Sequence, residues 1–266
     1  MDYLNEPFAQ HALLAATLVA IMCGLIGPFV IMRRMAFAVH GTSELAFTGA
    51  AAGLLLGGHP VGGAFVGALV VAGLIGALGS RERERDASIG VILAFGLGLG
   101  VLLLSFYKGF STQATNILFG NIFGVSGGQL ALLMVVGVAV CLTMLVIYRP
   151  LLFASLDPEV ARAKGLPMAL LSGVFLVILA LTVTEAAQVV GTLLVLSLAI
   201  TPAAAAHRLT VQPLMLTVLS VVFALTASVG GLLLSLTFDT IKPTVFITGI
   251  SFGIYLIAYL STLRRK

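Results

Sequence analysis

Long apolar runs broken by short polar stretches dominate the chain. A helix needs about 20 residues to cross a bilayer, and the runs predict spans at 12–32, 43–58, 60–79, 87–107, 128–148, 168–185, 187–206, 214–236 and 242–262. The expected fold is all-α: a polytopic integral membrane protein of eight or nine transmembrane helices, forming a single transmembrane domain over 1–266 without internal repeats or low-complexity linkers. The second and sixth runs are short. Lipid cannot satisfy backbone amides, so a short helix is tolerated only inside protein or beside a cavity, and the second run is expected at the core. Residues 109–127 are too polar and glycine-rich to span and read as an outer loop or a re-entrant turn.

Charge then orients the chain. Twelve of the fourteen Lys and Arg residues fall at run ends that an alternating path places on one side: Arg33-Arg34, the Arg81–Arg85 cluster, Arg149 with Arg162 and Lys164, Arg208, and Arg264-Arg265-Lys266. Only Lys108 and Lys242 fall outside. Basic residues stay on the cytoplasmic face, which puts the N-terminus outside and the C-terminus in the cytoplasm of a bacterial inner membrane. Asp2 and Glu6 precede the first run where a cleaved signal would carry basic residues, so that run is expected to be a retained span. Charged residues make up 9% of the chain and mean hydropathy is +1.17, against roughly 25% charged in soluble domains. The net charge of +4 is explained by the cytoplasmic loop ends and gives no ground for a nucleic-acid partner. Cys23 and Cys141 lie inside apolar runs and support neither a disulfide framework nor a thiolate metal site.

The one long cytoplasmic loop, 149–167, carries a compact helix signature. Asp157 suits the N-cap, Pro158 the first helical position and Glu159 the first turn; Gly165 and Pro167 are stop signals. Arg162 and Lys164 near the end suit the helix dipole. Such a helix is either a surface on which a partner can push or a solvated turn. The glycine pairs Gly49-x-x-x-Gly53 and Gly63-x-x-x-Gly67, and the series Gly96, Gly98, Gly100, read as close helix packing.

An ionisable group within a span is costly enough to be a functional candidate. His40 and Glu44 are four residues apart, share a helical face and lie near the expected midplane. Three readings stay open for them: ligands of a transition-metal dication, a proton relay, or a buried hydrogen-bonded pair. His11 and His59 fall near the outer face and His207 beside Arg208 at the inner one, where solvated roles are expected. Glu185, with Gln188, and Asp239 mark a possible outer entrance that attracts cations, against the alternative of solvated loop charges. No lysine sits in a G-x-x-x-x-G-K-S/T phosphate loop, and no hydrolase spacing occurs, so the chain is read as neither an ATPase by itself nor an enzyme.

Arg33-Arg34-Met35 through His40 and Glu44-Leu45-Ala46 resembles the R-R-M-x-x-x-G-D-x-x-x-H-A segment of the membrane permease subunits of ABC importers for zinc, manganese and iron. Leu118-Phe119-Gly120-Asn121 with Val125-Ser126, Asp157-Pro158-Glu159-Val160-Ala161 through Gly165, and Val189-Val190-Gly191-Thr192-Leu193-Leu194-Val195 through Thr201-Pro202-Ala203-Ala204-Ala205 are similar to further stretches of that family. The resemblance implies a homodimer around a central pathway, two separate ATPase subunits engaging Asp157, Pro158, Glu159, Ala161, Arg162 and Gly165, and an extracytoplasmic metal-binding protein docked above. It implies a transported divalent metal and no tightly bound cofactor, with His40 and Glu44 lining the path. The family's Asp-then-His order is reversed here, and where the family often has a further His or polar residue in the fourth span this chain has Ala94-Phe95-Gly96. The alternatives are a proton- or ion-coupled secondary transporter using His40 and Glu44 as a relay, and a non-transporting scaffold.

Overall fold

The computed structural model describes residues 6–78, 82–107, 116, 118, 120–192, 194–238 and 241–263, with backbone alone at 78 and 82–88. All regular structure among these residues is helical: α1 (Pro7–Met32), α2 (Ala36–Gly57), α3 (Pro60–Leu78), α4 (Glu82–Ser105), α5 (Gly127–Leu156), α6 (Pro158–Ala163), α7 (Met168–Val190), α8 (Val195–Ala199), α9 (Thr201–Leu209), α10 (Pro213–Thr237) and α11 (Pro243–Leu263), with a 3₁₀ turn at Ile122–Gly124. Six of them are long and apolar enough to cross a membrane: Pro7–Met32, Pro60–Ala77, Gly127–Leu156, Met168–Val190, Pro213–Thr237 and Pro243–Leu263. The chain is a multi-pass membrane protein.

Three elements depart from the apolar pattern. The second helix begins at Ala36 rather than 43, because its hydroxyls are satisfied within the helix: Thr42 Oγ1 donates to Ala38 O (2.7 Å) and Ser43 Oγ to His40 O (2.8 Å). The fifth runs eight residues past 148, through Pro150 to Leu156, which shortens the expected 149–167 loop to 157–167. No continuous span occupies 187–206. Instead α7 runs to Val190, Gly191 takes φ 97°, and α8 and α9 follow as short pieces with Pro202 near the start of the second. A φ of 97° lies outside the right-handed helical region, so no single helix continues through Gly191.

The core is sealed by small residues. Ser228 Oγ of α10 donates to Ala16 O of α1 (3.0 Å), and Ser251 Oγ of α11 to Ser197 O of α8 (2.7 Å). Where α2 meets α3 the backbones themselves touch: a Cβ on Gly49 would run into Gly63 O, one on Gly63 into Gly49 O, and one on Gly67 into Leu45 O. Gly58, at φ 72°, turns the chain between these two helices. On another side, Thr48 Oγ1 donates to Gly96 O of α4 (2.6 Å), and a Cβ on Gly100 would lie 2.6 Å from the Phe47 ring. The polar helix α2 is thus held between α3 and α4 and also packs on α7.

Gly49→Ala should destabilise the purified protein by about 1–3 kcal/mol, the range for forcing a methyl into a full interface. Gly62, which has open space around it, should accept Ala without loss; comparing the thermal unfolding of the two variants in one detergent checks both.

Candidate functional site

The hydroxyls of α2 are spent on carbonyls, and its acid and imidazole are not. Glu44 is 3% exposed with Oε2 lacking a partner among the described residues, and half-buried His40 leaves Nδ1 in the same condition. One helical turn separates them, so both project from the same face. Orphaned buried polar atoms are rare, and here they are one oxygen and one nitrogen donor of the kind that holds a divalent zinc, manganese or iron ion. No group of three His, Cys, Asp or Glu occurs among the described residues, so the pair offers two side-chain ligands and leaves further positions open.

Glu185 is no loop charge. It lies in the last turns of α7, 2% exposed, with Oε1 unpartnered. It faces a cavity of about 230 Å³ walled by α2 (Ala46, Phe47, Ala50), the start of α3, the end of α7 and the segment from Asn116 to Gln129. Asp239, expected beside it, lies outside the described residues. The segment around Gly120 packs onto α7, since a Cβ there would meet Val189 O, and Phe123 packs edge-on against Phe8 of α1 at 6.0 Å. Of the stretch expected as an outer loop or re-entrant turn, residues 109–115, 117 and 119 lie outside those described. Of the other histidines, His11 is half-buried, and His59 and His207 are exposed. Cys23 and Cys141 are free thiols.

The short helix α6 follows its sequence signature. Asp157 Oδ1 accepts from Val160 N (3.1 Å), Pro158 opens the helix, and Gly165 at φ 78° closes it while Leu166 N reaches back to Ala161 O (3.1 Å). Ala161 is fully buried and anchors the helix, leaving Asp157, Pro158, Glu159, Arg162 and Gly165 exposed. A connection absent from the sequence reading runs beneath it. Arg33, at the end of α1, donates from Nε to Ser155 Oγ (3.0 Å) and from Nη1 to Ser172 Oγ (3.4 Å), and lies 5.4 Å over the Phe175 ring. It thereby joins the junction of α1 and α2 to the end of α5, two residues before the α6 cap, and to the start of α7.

The model of the ABC 3 transport family matches residues 5–262. The chain belongs to that family and is a multi-pass membrane permease of it, as its motifs suggested. Its relatives include the manganese transport system membrane protein MntC of Halalkalibacterium halodurans, 32% identical over 237 residues that cover 89% of this chain and 81% of the relative. The manganese import system permease protein ScaB of Streptococcus parasanguinis is 35% identical over 201 residues, covering 75% and 71%. Among solved structures, PsaBC from Streptococcus pneumoniae in complex with Fab matches with a TM-score of 0.87 at 32% identity, covering 97% of this chain and 93% of that one.

Asp157→Ala removes an N-cap worth about 1 kcal/mol and should speed amide exchange in residues 159–161 roughly fivefold. Hydrogen-exchange mass spectrometry reads this directly, and an unchanged rate would show that packing of Ala161 alone holds α6.

Proposed function

We propose that the chain is the membrane-spanning subunit of an ATP-driven importer of a divalent transition metal, with manganese the first candidate and zinc and iron behind it. It works as a homodimer in the bacterial cytoplasmic membrane, powered by a separate ATPase and loaded by an extracytoplasmic metal-binding protein. The observation that carries the reading is the pair on α2, buried Glu44 and half-buried His40, whose unpartnered oxygen and nitrogen share one face. The names of the relatives support manganese among the metals that such donors accept.

His40 and Glu44 coordinate the ion in transit. A pathway site must bind well enough to admit the ion and weakly enough to release it, and two ligands per chain, completed by water or by the second copy, meet that demand. The exposed residues of α6, with Asp157, Pro158, Glu159, Arg162 and Gly165 at the surface and Ala161 beneath, receive the ATPase. Arg33 then carries movement of the α5–α6 corner to the start of α2 through its bonds to Ser155 and Ser172.

The test is whole-cell elemental analysis of a deletion strain grown under limiting manganese, zinc or iron. The intact gene should restore one metal, expected to be manganese. Glu44→Ala, present at normal membrane level, should lower its uptake by about tenfold or more, a scale on which metal sites lose affinity to lesser changes. If no metal content responds to deletion, metal import is wrong. Arg33→Lys keeps the charge but not the guanidinium fork; it should cut uptake several-fold while metal binding to the purified chain stays unchanged. Equal uptake would dismiss the link between α6 and α2.

A further inference from the structure

The cavity beside Glu185 holds more unspent polar chemistry than the import reading uses. Glu185 Oε1, Gln188 Nε2 and Thr192 Oγ1 all line it or its rim, and none has a hydrogen-bond partner among the described residues. Glu185 and Thr192 are almost completely buried, at 2% and 1% exposed. No Lys, Arg or His is among the described residues that line it. An acid buried without a basic partner is expensive. Protonation would quiet one oxygen and leave the amide and hydroxyl unmet, whereas a cation with part of its water shell engages all three. Rotation about the last side-chain bond of Gln188 turns its amide oxygen inward in place of the nitrogen. About 230 Å³ is ample where 10–15 Å³ or so accommodates one water.

The position of the cavity is as informative as its donors. Ala46, Phe47 and Ala50, which line it, follow Glu44 by two, three and six residues, about 3, 4.5 and 9 Å of helix rise. The Glu185 chamber therefore begins within a turn of Glu44 and extends nearly two turns along α2, on the side away from α6. Its donors are carboxylate, amide and hydroxyl oxygens. That set suits hard dications such as manganese, while the imidazole of His40 adds a nitrogen only at the next stop.

We propose that the cavity beside Glu185 is a second cation site, an all-oxygen waiting position that holds a partly hydrated manganese ion before it reaches His40 and Glu44. The assignment rests on the import reading above for the direction of travel, and on the cavity itself for the existence of the site.

The test uses the full-length chain in lipid nanodiscs, titrated with manganese(II) chloride, with bound metal counted by mass spectrometry and its ligands read by pulsed electron paramagnetic resonance. The intact chain should bind about two ions, and Glu185→Gln and the double variant His40→Ala, Glu44→Gln about one each, since each change removes the charged ligand of one site. The ion kept by Glu185→Gln should show imidazole nitrogen modulation, and the ion kept by the double variant should show none. Binding by Glu185→Gln equal to that of the intact chain overturns the second site. So does a double variant that binds nothing, and that arm decides the matter even if Glu185→Gln folds poorly. Failure of the import reading looks different: deletion leaves cellular manganese unchanged while the double variant still binds its nitrogen-free ion.

Discussion

Hydrocarbon offers no partner to a carboxylate, an imidazole or a hydroxyl, so a helix carrying all three survives in a bilayer only if other helices enclose it. That constraint shapes the region around α2. Glycine on both sides of the α2–α3 contact lets the two backbones touch, which leaves no seam for a lipid chain. Thr48 fastens the opposite side to the carbonyl of Gly96. With the hydroxyls turned onto backbone oxygens, the polar groups left over are the ones with chemistry to offer.

Those leftover groups stand in the reverse of the order that the resemblance to the family implies. Positions four apart share a helical face whichever residue comes first, so His40 before Glu44 presents the same two donor types as Asp before His. The side chain of Glu reaches one methylene further than that of Asp from the same helical face. The neighbouring cavity has a different character, oxygen-rich and free of nitrogen bases among its described walls, so an ion moving between the two places would exchange one kind of coordination for another.

Much of this was legible in sequence where the governing chemistry is local. The Asp157 cap, Pro158 and the Gly165 stop act within a few residues, and all three hold. The glycine spacing on α2 and α3 likewise announced its contact. The expected span begins at 43 while α2 begins at Ala36, since the polar residues before 43 weaken the apolar run although hydroxyls that bond carbonyls three and four residues back fit a helix. The break at Gly191 was hidden by the hydrophobicity around it, although the glycine and Pro202 were in plain view. Arg33 was beyond reach: its partners lie 122 and 139 positions away, and no periodicity encodes such a distance. The burial of Glu185 has the same origin, since segments far apart in the chain close around it.

The length of α5 has a mechanical consequence. Its 30 residues rise about 45 Å, half as long again as a hydrocarbon core of roughly 30 Å. Gln129, in its first turn, lines the Glu185 chamber, and its last residue abuts the Asp157 cap. One rod thus spans from the chamber wall to the corner where α6 begins. Pivoted at one end, it magnifies rotation: a tilt of about 5° sweeps the other end through roughly 4 Å over such a length. Pro150, which deprives one turn of its hydrogen bond, places a compliant joint near the α6 end of that lever.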